Sequence, residues 1–238
     1  MHMIQKHTAF SLIYIALVLF DLVVASSEYA SLRTLTKPLI LLSLLFYFAI
    51  RGKSVPRATY MLMLLALFFS LLGDVFLLFD AVSVLYFMLG LLSFLTAHIL
   101  YCFVFLKKWN KMSQADFWWV TLLLLVYGAV LFYILKPYLG DLIIPVAIYV
   151  LGILSMALTA YRRKGSVNLN SFNLVFFGAL CFVLSDSILA INKFMVAISG
   201  SHILVMGTYA AAQYLIVRGI LRQSKLSRGQ DDKALNQS

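Results

Sequence analysis

The sequence predicts an all-α integral membrane protein with eight transmembrane helices in one bundle, and three observations carry that reading. First, 63% of the 238 residues are hydrophobic and only 12% are charged, and the mean hydropathy is +0.97. A water-soluble domain carries about 45–50% apolar and about 25% charged residues, so this chain has too few polar groups to coat a surface in water. Second, the apolar residues fall in runs close to the roughly 20 residues that a helix needs to cross hydrocarbon. Third, runs such as MLMLLALFFSLLG (61–73) do not alternate in polarity, as the short strands of a membrane barrel do.

The first span, 9–27, is broken by Asp21. Ala25 and Ser26 resemble the small residues of a signal-peptide cleavage site. We read the segment instead as a retained helix, because Asp21 fits the acidic site argued below. The second span, 36–50, is the shortest, with Lys37 and Pro38 at its start, where a missing N–H is tolerated. The third, 58–79, follows Pro56, and the fourth, 84–106, ends at Lys107 and Lys108. Pro137 and Gly140 separate the fifth, 115–135, from the sixth, 142–161, which has Pro145 near its start and Arg162, Arg163 and Lys164 after its end. The seventh covers 170–191 and the eighth 196–221. Residues 1–221 thus form the transmembrane domain. Residues 222–238 are polar, lack a periodic apolar face and are expected to be a disordered cytoplasmic tail.

Fifteen of the 19 lysines and arginines fall on the side that holds both termini; Arg33, Lys37, Lys136 and Lys193 fall on the other. The positive-inside rule therefore places both termini in the cytoplasm, and the expected location is a bacterial inner membrane. The net charge of +10 is this topology signal. It is not a nucleic-acid footprint, because the basic residues sit in short clusters between spans and form no patch or recognised motif. Cys102 and Cys181 lie inside apolar runs without metal-ligand spacing and read as small buried residues. Leu72-Gly73-Asp74 and Leu184-Ser185-Asp186 occupy similar places in the third and seventh spans, 112 residues apart. This suggests two parallel four-helix halves.

An ionised side chain at a helix centre costs about 2.5–3.5 kcal/mol even on lenient insertion scales, so intramembrane acids mark function by default. Asp21, Asp74 and Asp186 each lie about two-thirds along an outward-running helix, and so at one depth. Gly73 and Ser185 precede two of them and allow close packing or access. His98 and Tyr101 share a face at i, i+3 and suit orienting water or a head group. Lys37 and Lys193 are outer-side cations suited to pairing with an acid or meeting a phosphate, while Tyr209 and Gln213 share a face of the eighth helix. Helix-bridging hydrogen bonds are the structural counterpart of each reading. With His98 and the outer His202 as the only intramembrane histidines, the three protein ligands usual for catalytic zinc are lacking. No metal or cofactor is expected. No nucleophile elbow, phosphate loop, dinucleotide fingerprint or HExxH is present.

What remains is a pair of carboxyls in a dry place. Two close acids share a proton and offer a general acid beside a general base. That suits hydrolysis through an oxocarbenium-like cation, as in glycosidases. It equally suits proton-coupled transport or lipid carriage.

Three segments carry a resemblance: Thr36-Lys37-Pro38-Leu39; Ser70 to Leu78 around Gly73-Asp74; and Gly90 to Phe94 continuing through Ala97-His98-Ile99-Leu100-Tyr101. Ser185-Asp186 followed by Lys193-Phe194 adds a fourth. In this order they resemble the YhhN-type lysoplasmalogenase family of eight-helix membrane proteins, over about residues 9–221. The resemblance implies hydrolysis of the vinyl ether of lysoplasmalogens, releasing a fatty aldehyde and glycerophosphoethanolamine or glycerophosphocholine. It implies that Asp74 and Asp186 are the catalytic acids. Lys37, His98, Tyr101, Lys193, Asp21, Ser185 and Tyr209 would bind substrate or support them. The partners expected are a lysophospholipid substrate and membrane lipid, with no nucleic acid.

Overall fold

The computed structural model describes the backbone of residues 2–108 and 114–235, and side chains for 8–29, 31–108 and 116–223. Eight helices follow in chain order: α1 His2–Ala25, α2 Arg33–Arg51, α3 Arg57–Leu77, α4 Val84–Leu106, α5 Gln114–Leu135, α6 Ile143–Tyr161, α7 Leu169–Phe194 and α8 Ser201–Leu235. Each contains a stretch long and apolar enough to span a bilayer, and no strand occurs among the described residues. The protein is a multi-pass integral membrane protein. Large apolar side chains such as Leu123, Trp118, Trp119 and Tyr133 remain exposed on its outer faces, where lipid, not water, is the solvent.

The predicted spans of α2 to α7 agree with the helices to within three residues, whereas α1 starts seven residues earlier than expected, at His2, and α8 starts five later and ends fourteen later, at Leu235. Helix α2 begins at Arg33, three residues earlier than expected, so Pro38 lies inside it and not in its first turn. Arg33 and Lys37 thereby become i, i+4 neighbours on one helical face. Helix α8 begins only after Gly200, whose φ of +71° turns the chain back from α7. The backbone of the polar segment expected to be disordered continues α8 as far as Leu235, while its side chains beyond Gln223 lie outside the described ones.

The tightest pairings are α7 with α8 and α3 with α4; α4 also packs on α6, and α5 lies at the edge on α6. Glycines set the first pairing. A Cβ at Gly178 or Gly219 would sit 3.0 Å from a backbone oxygen of the facing helix, Ala212 O or Ser171 O respectively. Small residues are the usual means of bringing membrane helices together, since no hydrophobic force drives them.

The end of the bundle remote from the acids is clasped by Arg163. Its side chain is fully buried; Nη2 donates to Ser171 Oγ (3.2 Å) and to Gln223 Oε1 (2.6 Å). The guanidinium also lies over the Phe105 ring at 5.7 Å. Burial pushes Arg163 down to about 9, which still leaves it charged at neutral pH. It ties the end of α6 to α4, α7 and α8. Asn168 caps α7, its Oδ1 accepting from Ser171 N at 2.8 Å.

Candidate functional site

At the other end of the bundle, late residues of α1, α3 and α7 meet early residues of α2, α4 and α8. Asp74, near the end of α3, has a side chain only 2% exposed. Its Oδ1 lies 3.3 Å from Lys37 Nζ, and its Oδ2 accepts from Tyr209 Oη at 2.8 Å. Asp74 is thus held by one cation from α2 and one phenol from α8. Gly73 beside it serves packing: a Cβ there would fall 2.6 Å from the Phe94 ring.

Asp186, on α7, is held differently. Its Oδ2 accepts a very short hydrogen bond from Tyr149 Oη on α6 and lies 4.0 Å from His98 Nε2 on α4. No lysine or arginine among the described residues pairs with it. His98 is fully buried and edge-on to the rings of Tyr149 and Phe182. Neither of its ring nitrogens has a hydrogen-bond partner among the described residues.

Two chambers meet at Asp186. One is polar, of about 810 Å³ with its mouth included, with Arg33, Lys37, Asp74, Asp80, Ser185, Asp186, Asn192, His202 and Tyr209 among its walls. The other is apolar, of about 710 Å³ with its mouth included, and its walls include Leu91, Leu131, Val146, Ile153, Ala190 and Phe194. Asp186, Leu77, Phe94 and Leu189 border both; Asp74 borders only the polar one. A polar chamber with cations beside a greasy one suits an amphiphile, with Asp186 on the wall they share.

The residues singled out from sequence distribute as follows. Asp74, Asp186, Lys37, Ser185 and Tyr209 line the polar chamber, and Ser185 Oγ also donates to Val205 O at 3.0 Å. His98 stands behind Asp186. Tyr101 turns away from both chambers and donates to Gln213 Oε1 at 2.6 Å, so this pair cross-links α4 and α8. His98 and Tyr101 share a face, yet they serve different neighbours. Asp21 lies one layer behind the chamber. Thr36 Oγ1 donates to its Oδ1, and Arg33 Nη2 lies 3.8 Å from its Oδ2. Lys193 pairs with an acid outside the spans, its Nζ lying 2.6 Å from Asp80 Oδ2, and not with Asp21, Asp74 or Asp186.

Sequence reasoning missed Tyr149, Arg33, Asp80 and His202. Arg33 carried a signal, because it sits one turn before Lys37, but it was spent on counting charge by side. Asp80 lay just past the third span and looked like loop. His202, whose Nε2 is 2.9 Å from Ser26 Oγ, was weighed only as a metal ligand. Tyr149 had no signal at all, since 37 residues and a turn of the chain separate it from Asp186.

Fold and site together define a class: a polytopic helical membrane protein with two acids on a polar chamber, one of which also borders an apolar chamber. More particularly, the chain belongs to the YhhN family, whose model matches residues 32–220. It is 33% identical over 157 residues to "Lysoplasmalogenase TMEM86B" of Homo sapiens, covering 66% of this chain and 62% of that protein. It is 30% identical over 165 residues to "Lysoplasmalogenase TMEM86A" of Bos taurus, covering 68% and 65%. The match thus spans somewhat under two thirds of these relatives' own length. No solved structure matches the chain significantly.

Proposed function

We propose that this protein is a lysoplasmalogenase that hydrolyses the vinyl ether of a lysophospholipid by acid–base catalysis between Asp186 and Asp74. The observation that carries the reading is the position of Asp186: its carboxyl borders the apolar chamber and the polar one together. An alkenyl chain in the first and a glycerophosphate in the second bring the vinyl ether, which joins them, to that carboxyl. The curated relatives named lysoplasmalogenases support the same activity.

The surroundings of the two acids support a division of roles. Asp74 carries its charge in an ion pair with Lys37 and faces only the polar chamber, so it is the base. Asp186 has no such cation and faces the alkenyl chain, so it is the acid. Asp186 protonates the β-carbon of the alkenyl group, and the C=C electron pair forms that C–H bond. The adjacent carbon becomes an oxocarbenium ion. Water adds to it while Asp74 takes the water's proton. In the hemiacetal, the proton on Asp74 passes to the glycerol oxygen as that C–O bond breaks. The hemiacetal hydroxyl returns its proton to Asp186. The products are a fatty aldehyde and a glycerophospho-ethanolamine or -choline, and both carboxyls are restored. Tyr149 orients Asp186 through its hydrogen bond, and the charges of Asp74 and Asp186 stabilise the cation across the chamber.

The test is aldehyde release from lysoplasmalogen by purified protein. Asp74→Asn and Asp186→Asn should each lower kcat by about 10²–10⁴-fold, the usual worth of a general acid or base, in protein that still folds, with the melting temperature lowered in Asp74→Asn because Lys37 loses its partner. Release that survives either substitution would sink the mechanism. Transmembrane flux of intact lipid in proteoliposomes, without aldehyde, would favour the carrier reading.

A further inference from the structure

We infer that the polar chamber is a receiver for a zwitterionic head group, with Arg33 binding the phosphate and Asp80 binding the ammonium in exchange for Lys193. The inference rests on the lysophospholipid reading above and extends it to named specificity residues.

Arg33 is the available phosphate ligand. Lys37 is already engaged with Asp74 at 3.3 Å. Arg33 has only a long contact with Asp21, at 3.8 Å, and its buried Nε has no hydrogen-bond partner among the described residues. It borders the polar chamber with a side chain 26% exposed. A guanidinium so placed keeps donors free for the bidentate contact that phosphate oxygens favour. Asp21, itself held by Thr36, lies behind it.

Asp80 is the opposite charge on the same chamber. It sits in the connection between α3 and α4, borders the chamber, and holds Lys193 of α7 at 2.6 Å with both side chains about one-third exposed. An ion pair this open contributes little to stability, so a substrate ammonium can replace the lysine's at small cost. Lys193 has an alternative resting place, because its Nζ already lies 5.3 Å from the centre of the Phe87 ring. The exchange trades one ammonium for another and leaves the charge around Asp80 unchanged. It also explains why a carboxylate stands at a chamber whose substrate carries a phosphate. Asp80 repels a purely anionic head group and retains one with a cationic end.

The test separates binding from chemistry. Full-length protein in detergent is titrated with lysophosphatidylethanolamine and with lysophosphatidylglycerol of the same acyl chain. The two share a phosphodiester but differ in the ammonium. Wild type should bind the ethanolamine lipid about fivefold more tightly, the scale expected of an exposed charge pair. Asp80→Asn should abolish that preference, and Arg33→Gln should weaken both lipids alike. Lys193→Met frees Asp80 and should sharpen the preference, a gain that a merely destabilised protein would not show. Equal binding by wild type, a preference intact in Asp80→Asn, or a loss in Lys193→Met equal to that in Asp80→Asn overturns the inference. Aldehyde release from vinyl ether lipids, measured in parallel, reports on the hydrolase independently. No aldehyde with the preference intact refutes the hydrolysis alone, and aldehyde with no preference refutes the head-group assignment alone.

Discussion

Asp74 and Asp186 are the same residue type on the same polar chamber, yet their neighbours differ. Asp74 has Lys37 and Tyr209; Asp186 has Tyr149 and His98. The contrast makes the first ion pair a sensitive point. Removing one partner of a buried pair leaves an uncompensated charge and costs about 3–5 kcal/mol, whereas removing both costs much less. Lys37→Met should therefore lower thermal stability strongly, and the double variant Lys37→Met with Asp74→Asn should recover most of the loss. A thermal-shift comparison of the four proteins checks this. Additive losses would mean that the two side chains do not act as a pair. The acids themselves were legible in the sequence, because a carboxylate in hydrocarbon is expensive enough to need a reason. Their partners were not. Tyrosine is common in membrane helices, and nothing marks Tyr149 among the 13 in this chain.

At the scale of elements, the spans of α2 to α7 were readable to within three residues, since length and apolarity are all that the bilayer asks of a helix. Which helices pair was not readable, because lipid-facing and helix-facing surfaces are both apolar. Glycines decide part of it. Gly219 faces Ser171 O at 3.0 Å and Val175 Cγ2 at 2.5 Å from the place of a Cβ, whereas a Cβ at Gly207 on the same helix meets nothing within 4 Å. Gly219→Ala should force α7 and α8 apart and destabilise by about 1–3 kcal/mol, as overpacking does. Gly207→Ala should be neutral or stabilise by about 0.5–1 kcal/mol through helix propensity. Unfolding of both variants in one detergent measures the difference. Equal effects would show that the close approach of α7 and α8 does not govern stability. The early start of α2 belongs to this scale too. Pro38 in the sequence argued for a helix start beside it, and packing moved the start back to Arg33, bringing a second cation to the chamber.

For the whole molecule, the two-chamber arrangement depends on α5, α6 and α7 enclosing an apolar space beside the polar one, with a Tyr127–Ser187 hydrogen bond of 2.7 Å linking α5 to α7. Ala190, one turn beyond Asp186, borders only the apolar chamber. If that chamber holds the alkenyl chain, Ala190→Phe should raise KM for long-chain substrates by about tenfold or more, given about 1–3 kcal/mol per misfitted group in an apolar pocket, and spare short-chain ones. Kinetics across a chain-length series checks this; a uniform change in kcat at every length would place the chain elsewhere.

By itself the sequence determined the membrane class, the eight spans and the three intramembrane acids worth asking about, Asp21, Asp74 and Asp186. Each is a local matter: hydropathy over 20 residues, or one costly charge in an apolar run. Only the tertiary structure decided that Asp74 pairs with Lys37, that Asp186 meets Tyr149 and His98, that Lys193 goes to Asp80, and that one carboxyl borders both a polar and an apolar chamber. Those are contacts between helices far apart in the chain. In lipid, polar side chains pair according to where close packing carries them, and no periodicity in the sequence encodes that.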